Sequence, residues 1–409
     1  MSELLIHATH NEHRVVADLL APRGSWRTEA PMARLVVDAV TALGQEEFAK
    51  AAGDNGVPLV VDPMTLPLPH GAHPADSWMQ LPYARAEGRT ALSLRDPAAR
   101  WELVSQTVEL QIDLGATMLV PAHVYATSPG DPWHLINLAL LRDTAQYVAE
   151  HHAGMSLLPV LCGQADGFTR VASWRDGVDR FADMAASVGA GTVAVSMSPV
   201  GGVASDKYDK TLRYFSTLLH LQQRGVRVIA WHQGVFGAGL IAAGVHGYST
   251  GIGKLETSKA ATQARGRLRG RSDDGDGGSY KGLYLDAFGH SVPFHAGERL
   301  LHHEVLRPQL MCADDEGCCA SWSETLEHPR EHAVRARARQ RALLDGQPRS
   351  TWRLTQLVRE AESAVNVAKQ ANQVLEAAGE KFRVKLVQLE SLRDVAEHLR
   401  QVAIGAATA

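Results

Sequence analysis

Three of the four cysteines of this 409-residue chain, Cys312, Cys318 and Cys319, fall within "MCADDEGCCASWSETLEHPREH" (311–332), with His328 and His332 close behind. Thiolate and imidazole together suit tetrahedral Zn2+. Three cysteines and one histidine fill the coordination shell and leave no position for water, so the ion expected here is structural. His332 is the preferred fourth ligand because it falls one turn into a helix; His328 is the alternative, and His302 and His303 in "LLHHEVL" are more distant ones. The competing reading is three ordinary thiols.

A second set of reactive groups sits at the ends of apolar runs. Asp62 closes "VVD"; His123 and Tyr125 lie in "PAHVY"; Cys162 and Gln164 lie in "LCGQ". Ser196 and Ser198 follow in "SMSP", His232 and Gln233 in "WHQ", and His246, Tyr248 and Ser249 in "GVHGYSTG". Carboxylate and imidazole groups of this kind suit nucleophilic and proton-transfer chemistry near neutral pH. The loops "SPVGGV", with Gly201 and Gly202, and "STGIGK" carry glycines whose backbone N–H groups suit an anion or a tight turn.

The elements that must position these groups are apolar throughout: "LLIHA" (4–8), "RLVVDAV" (34–40), "VPLVVDP" (57–63), "ATMLVPAHV" (116–124), "MSLLPVLCG" (155–163), "GTVAVSMSP" (191–199), "GVRVIAWHQ" (225–233) and "AGVHGYSTG" (243–251). Runs without polar alternation are the mark of parallel strands covered on both faces. Amphipathic stretches such as "WRDGVDRFADMAASVGA" separate them. The pattern predicts an α/β fold, a (β/α)8 TIM-type barrel over 1–260, with a doubly wound open sheet as the alternative. An Arg/Gly/Asp-rich stretch (261–281) reads as a flexible loop, and 282–409 as a hairpin, zinc-binding and helical subdomain packed on the barrel. A net charge of −4 and 45% hydrophobic residues suit a globular protein without global attraction to nucleic acid. No apolar run is long enough to span a membrane and no secretory signal is visible, so the expectation is a cytoplasmic chain.

The order of these motifs resembles the tRNA-guanine transglycosylase family over roughly 55–400. "PLVVDPMTLPL" is similar to the strand ending in the Asp of the family's Asp-Ser-Gly-Gly motif, which places Asp62 on the pocket carboxylate. "LLPVLCGQ" resembles the segment ending Val-Gln-Gly-Gly, and "SMSPVGGV" the Gly-Gly-Leu loop that cradles the base. "VIAWHQGVFGAGLIAAGVHGYSTG" resembles the Gly-Val-Gly strand, its helix and the nucleophile strand. "AFGHSVPF…RPQLMC" resembles the hairpin leading into the zinc cysteines, and "LEAAGEKFRVKLVQLESLRDVAEHL" the final helices. The family's nucleophilic aspartate falls at Ser249 and an earlier aspartate at His246, and Pro63-Met64-Thr65 stands where Ser-Gly-Gly is expected.

The resemblance implies exchange of a purine-type base in tRNA or DNA for a free purine or deazapurine base, and structural zinc; whether the chain is a homodimer, a heterodimer or neither stays open at this point. The residues expected to act are Asp62, Ser249, His246 and His232, with Tyr125, Trp231, Gln164 and Tyr248 around a flipped base. Phosphates fall to Arg265, Arg267, Arg269 and Arg271 or to the arginines of 335–341. Two other readings stand beside it. One is a non-catalytic relative that binds nucleic acid or supports a catalytic partner. The other is a metal-dependent barrel enzyme using His123, His232 and His246 on a small molecule.

Overall fold

The computed structural model describes residues 1–20, 31–70, 77–200, 208–252, 256–264, 282–312 and 321–408. Nine strand segments form one parallel sheet: β1 (Glu3–Ala8), β2 (Arg34–Asp38), β3 (Leu59–Asp62), β4 (Met118–Leu119), β5 (Ser156–Leu157), β6 (Val160–Gln164), β7 (Thr192–Ser198), β8 (Arg227–Ala230) and β9 (Gly247–Gly251). Their order is β5-β4-β3-β2-β1-β9-β8-β7-β6. The two ends of that order are one stretch of chain interrupted at Leu158–Pro159. Leu158 N–H donates to the Leu119 carbonyl at 2.8 Å on one side, and the Pro159 carbonyl accepts from Ala194 N–H at 2.8 Å on the other. Pro159 has no N–H to give, which breaks the ladder there without breaking the strand. The curved sheet is of the TIM-barrel type expected from the apolar runs.

The strands enclose a packed interior. Leu5, Val36, Val60, Val120, Val160, Ala194 and Ile229 fill the lumen, so it is a core rather than a pore. Alternate residues face the surrounding helices: Leu4, Ile6, Leu35, Val37, Val61, Val193 and Val195 belong to the larger outer core. The tetrapeptide LVVD occurs twice, and its copies pair in register from Leu35↔Leu59 to Asp38↔Asp62.

Beyond the sheet, β10 (Gly282–Leu285) and β11 (His290–Pro293) form an antiparallel hairpin turned at Gly289, whose φ of 66° suits a residue without Cβ. Its inner face packs Leu283, Leu285 and Phe288 against Leu300, Val365 and Ala368 in a second core. The helix Ser350–Ala377 carries the expected apolar stripe, with Leu354 and Leu357 in the outer barrel core and Val365, Ala368 and Leu375 in the hairpin core. One rigid rod therefore belongs to both cores, and the C-terminal helices are packed on the barrel. Among the described residues no helix is long and apolar enough to cross a membrane.

Polar contacts seal the same junction. Arg337, on the helix Pro329–Asp345, is 1% exposed, pairs with Glu256 and lies 4.1 Å over the Tyr284 ring. Glu256 also accepts from Ser291 N–H at 3.0 Å and from Ser291 Oγ at 2.7 Å. Burial pushes the Glu256 carboxyl up, but Arg337 and Ser291 hold it below its usual value. Arg339 pairs with Asp286 at 2.8 Å, and Arg341 donates to the Ser2 carbonyl at 3.2 Å. The expectation that arginines 335–341 grip phosphates is corrected for Arg337, which is buried in internal bonds, while Arg339 and Arg341 stay partly exposed beside theirs. Arg265, Arg267, Arg269 and Arg271 lie outside the described residues.

Candidate active site

The C-terminal ends of the strands gather ionisable groups by simple alternation. Leu5 faces the lumen, so His7 two residues on faces the mouth; Val36 and Val60 do the same for Asp38 and Asp62. Ser249 on β9 and His232 just past β8 continue the arc across five neighbouring strands, β8-β9-β1-β2-β3. His123, after β4, stands beside Asp62. Its peptide is fixed by Thr65: Thr65 Oγ donates to the His123 carbonyl at 2.6 Å and accepts from His123 N–H at 2.9 Å.

Two carboxylates stand side by side. Asp38 and Asp62 are partners across the parallel ladder, and both keep some exposure. Asp62 accepts from Met64 N–H at 2.8 Å, in a tight turn where Met64 has φ of 52°. Trp78 Nε1 donates to the Met64 carbonyl at 3.0 Å and Tyr83 Oη to the Pro63 carbonyl, so the turn is pinned from outside. Asp38 caps the helix Ala39–Gly44 by accepting from Thr41 N–H at 2.7 Å and Thr41 Oγ at 3.0 Å. Burial raises the Asp38 pKa, Thr41 opposes this, and the Asp62 charge adds to the rise. Burial likewise drives the Tyr83 phenol well up, with the charges of Asp62 and Asp38 adding to it.

On the other flank, Ser249 is a clamp. It is fully buried, accepts from His232 N–H at 2.8 Å, and lies 2.9 Å from His7 Nε2. Its own proton needs an acceptor, which a neutral His7 provides. His232 has φ of 53°, in the left-handed region that a non-glycine residue rarely occupies, and its ring lies 3.9 Å from that of His7. Burial and the neighbouring His232 hold His7 well below its usual pKa. The nucleophile expected at Ser249 is thus corrected: its Oγ is sealed inside and engaged twice, and the accessible groups are Asp62, Asp38 and His232. Among the described residues, both side-chain amide atoms of the buried Gln233 lack a hydrogen-bond partner.

The opposite rim carries Tyr125, whose hydroxyl donates to the Ser198 carbonyl at 3.3 Å, and the exposed Gln164 at the end of β6. Ser198 Oγ accepts from Ala261 N–H at 3.2 Å, and Ser196 Oγ lies 3.1 Å from Ser258 Oγ. The segment around Ala260 therefore lies over β6 and β7, with Ala260 itself packed into the lumen cluster. Burial pushes the Cys162 thiol far above its usual pKa, so Cys162 is an inert lumen residue at neutral pH. Gly201 and Gly202 lie outside the described residues.

Two expected members are elsewhere. Helix Gly237–Ala243 ends at the left-handed Gly244, so β9 begins only at Gly247 and His246 sits at the opposite end of the barrel. There its Nε2 is 3.2 Å from Glu3 Oε1 and its N–H donates to Gln222 at 2.6 Å. His123, His232 and His246 therefore do not converge on a metal. Tyr248 points outward into the helical layer, against Gly237. Among the described residues, no three His, Cys, Asp or Glu side chains are placed to share an ion.

Of the zinc set, Cys318 and Cys319 lie outside the described residues. Cys312 packs half-buried on the cluster of Tyr284, Ala333 and Ala336, and the buried His332 ring lies 6.2 Å from the same tyrosine ring. His328 is exposed, and His302 packs edge-on to Trp322 at 4.7 Å.

Sequence spacing alone does not single out His7 and Asp38, yet each has a signal: His7 is next to last in the first apolar run, and Asp38 repeats the LVVD of Asp62. The buried histidines also set a pH dependence. Burial lowers His7, His123 and His134, the last to about 4 with Arg180 adding to the effect. A lowered histidine binds protons in the unfolded chain first, so stability falls as pH drops below the ordinary 6.5. At pH 5 His134 alone costs about 2 kcal/mol. Urea denaturation at pH 7 and 5 should show this loss, and His134→Gln should shrink it; equal stability at both pH values refutes it.

No family model and no curated sequence matches the chain. Solved structures similar to it include the carboxyl transferase domain of Rhizobium etli pyruvate carboxylase with pyruvate, at 13% identity and a TM-score of 0.39 over 98% of this chain and 61% of that one. Another is a probable tagatose 6 phosphate kinase from Sinorhizobium meliloti 1021, at 12% identity and a TM-score of 0.34 over 99% of this chain and 100% of that one. The chain spans less than two thirds of the carboxyl transferase domain it matches.

Proposed function

We propose that the barrel mouth exchanges or recognises a purine-type base in nucleic acid by a transglycosylase-like reaction, with Asp62 in place of Ser249 as the nucleophile. The observation that carries this reading is the pairing of Asp62 with Asp38 in register on adjacent strands. Parallel strands are about 4.8 Å apart, close to the carboxyl spacing of retaining glycosyl transfer. Two such carboxyls share protons unequally, which suits one nucleophile and one acid.

In this scheme the Asp62 carboxylate bonds to the anomeric carbon as the carbon–nitrogen bond to the base breaks. His232, or the protonated Asp38 carboxyl, gives a proton to the departing base. A free purine or deazapurine base then displaces Asp62, returning the proton. Tyr125 and the exposed Gln164 supply contacts to the base on the far rim. Phosphate contacts fall to Arg265, Arg267, Arg269 and Arg271. The test is incorporation of labelled guanine into bulk tRNA or DNA.

A second reading, a non-catalytic relative that binds nucleic acid, is favoured by the sealed Ser249 at the family's nucleophile position. Salt-sensitive nucleic-acid binding without incorporation would put it first.

The same proposal assigns structural Zn2+ to Cys312, Cys318, Cys319 and His332. Cys312 and His332 already flank one tyrosine, and the intervening chain carries the two further thiols. Bound there, the ion would only cross-link the cysteine segment at 312–319 to the helix Pro329–Asp345, since a shell of four protein ligands holds no water. Metal analysis should find one zinc per chain, lost with C-terminal folding on Cys312→Ser. A chain that folds fully without metal ends this assignment.

A further inference from the structure

One exposed group on the rim of the mouth takes no part in the scheme above. His10 lies two residues beyond β1 and stands close enough to Asp38 for the charges of the two side chains to interact. Its ring is held by Gln45, which is 7% exposed and follows the short helix that Asp38 caps. Gln45 Oε1 accepts from Asn11 N–H at 3.2 Å, while Gln45 Nε2 lies 3.2 Å from His10 Nδ1 and 3.3 Å from Asn11 Oδ1.

These contacts fix the direction of each bond. A backbone N–H can only donate, so the atom facing it is the amide oxygen, and the two hydrogens of Gln45 Nε2 go to His10 Nδ1 and Asn11 Oδ1. Nδ1 is then an acceptor, and the proton of the neutral ring sits on Nε2. A buried amide thus orients an exposed imidazole. The loop that carries it is strained: among the described residues, the non-glycine residues with positive φ are Asn11, Met64 and His232, and all three follow strand ends at the mouth. Backbone strain of this kind gathers at functional sites.

We propose that His10 is a specificity-determining residue of the mouth, its Nε2–H donated to a carbonyl oxygen of the exchanged base, so that an oxopurine is taken over an aminopurine. The assignment rests on the base-exchange reading of the mouth. With Nδ1 occupied by Gln45, the neutral ring offers a ligand only a donor. A carbonyl oxygen satisfies it, whereas an exocyclic amino group at the same place sets donor against donor and loses the bond, at about tenfold or more.

Initial rates of labelled-guanine incorporation into bulk tRNA or DNA, with 6-thioguanine as the competing base, provide the test. Sulfur is the weaker acceptor, so the wild-type chain should prefer guanine by about tenfold. His10→Ala should raise the KM for guanine about tenfold and reduce the preference to about twofold or less. His10→Gln, which keeps an N–H near the position of Nε2, should recover most of both. Unchanged urea midpoints check that both variants fold. A folded His10→Ala chain with wild-type KM and preference, or His10→Gln no better than His10→Ala, overturns the role of His10 and leaves base exchange standing. No incorporation by the wild-type chain ends the base-exchange reading and this role with it.

Discussion

Asp62→Asn should reduce incorporation of labelled guanine by about a thousandfold or more, because loss of a nucleophile removes the reaction path rather than slowing it. The fold should not suffer. Asparagine keeps an oxygen for Met64 N–H, and the side chain is only partly buried. Ser249→Ala is the informative contrast. It removes the acceptor that holds the His232 amide and the partner of His7 Nε2, but Ser249 itself is sealed away from substrate. Misplacing a proton-transfer group by an ångström costs up to about a hundredfold, so Ser249→Ala should stay measurably active. If instead Ser249→Ala is dead and Asp62→Asn turns over normally, the assignment of the two residues is reversed and the scheme fails. Initial rates on one preparation, with circular dichroism as a folding check, decide between these outcomes.

The largest effect on stability is expected at Arg337. Arg337→Met leaves the Glu256 carboxylate buried against Ser291 and Tyr284 with its charge uncompensated. Breaking a buried pair in this way costs about 3–5 kcal/mol, far more than an exposed salt bridge. Removing both charges in Arg337→Met with Glu256→Gln should recover most of the loss, because the desolvation penalty goes with the charge. Urea midpoints of the single and double variants provide the measurement. A double variant as unstable as the single one would mean that packing of the guanidinium on the Tyr284 ring, not charge, is what matters. If Arg337 bound phosphate instead, its loss would weaken nucleic-acid binding and leave stability alone.

Every apolar run read as a strand overlaps an observed one, because a strand buried on both faces has to be written in apolar residues. What was less legible was where each strand starts and which way each side chain points. The run at 243–251 looked like one strand, but Gly244 ends a helix there, and the shift moved His246 from mouth to base. Tyr248 and Ser249 are neighbours in sequence with opposite fates, one in the helical layer and one inside the mouth, because strand side chains alternate. The clamp of Ser249 on His7 and His232 joins residues 242 and 17 positions apart, a pairing no local spacing encodes. The arginines of 335–341 illustrate the reverse error: a basic run reads as a surface until the partners Glu256 and Asp286 are seen.

The His7–Ser249 contact also bears on how the protein comes into being. A nascent chain leaving the ribosome exposes His7 early and its partner only 242 residues later. Contacts of such long range form late, after much loop-closure entropy has been overcome. The reactive arc can therefore exist only once the first and last strands of the ring have met. In refolding, the return of activity should lag behind the return of helical signal, and no fragment that stops short of the ninth strand should contain the working centre.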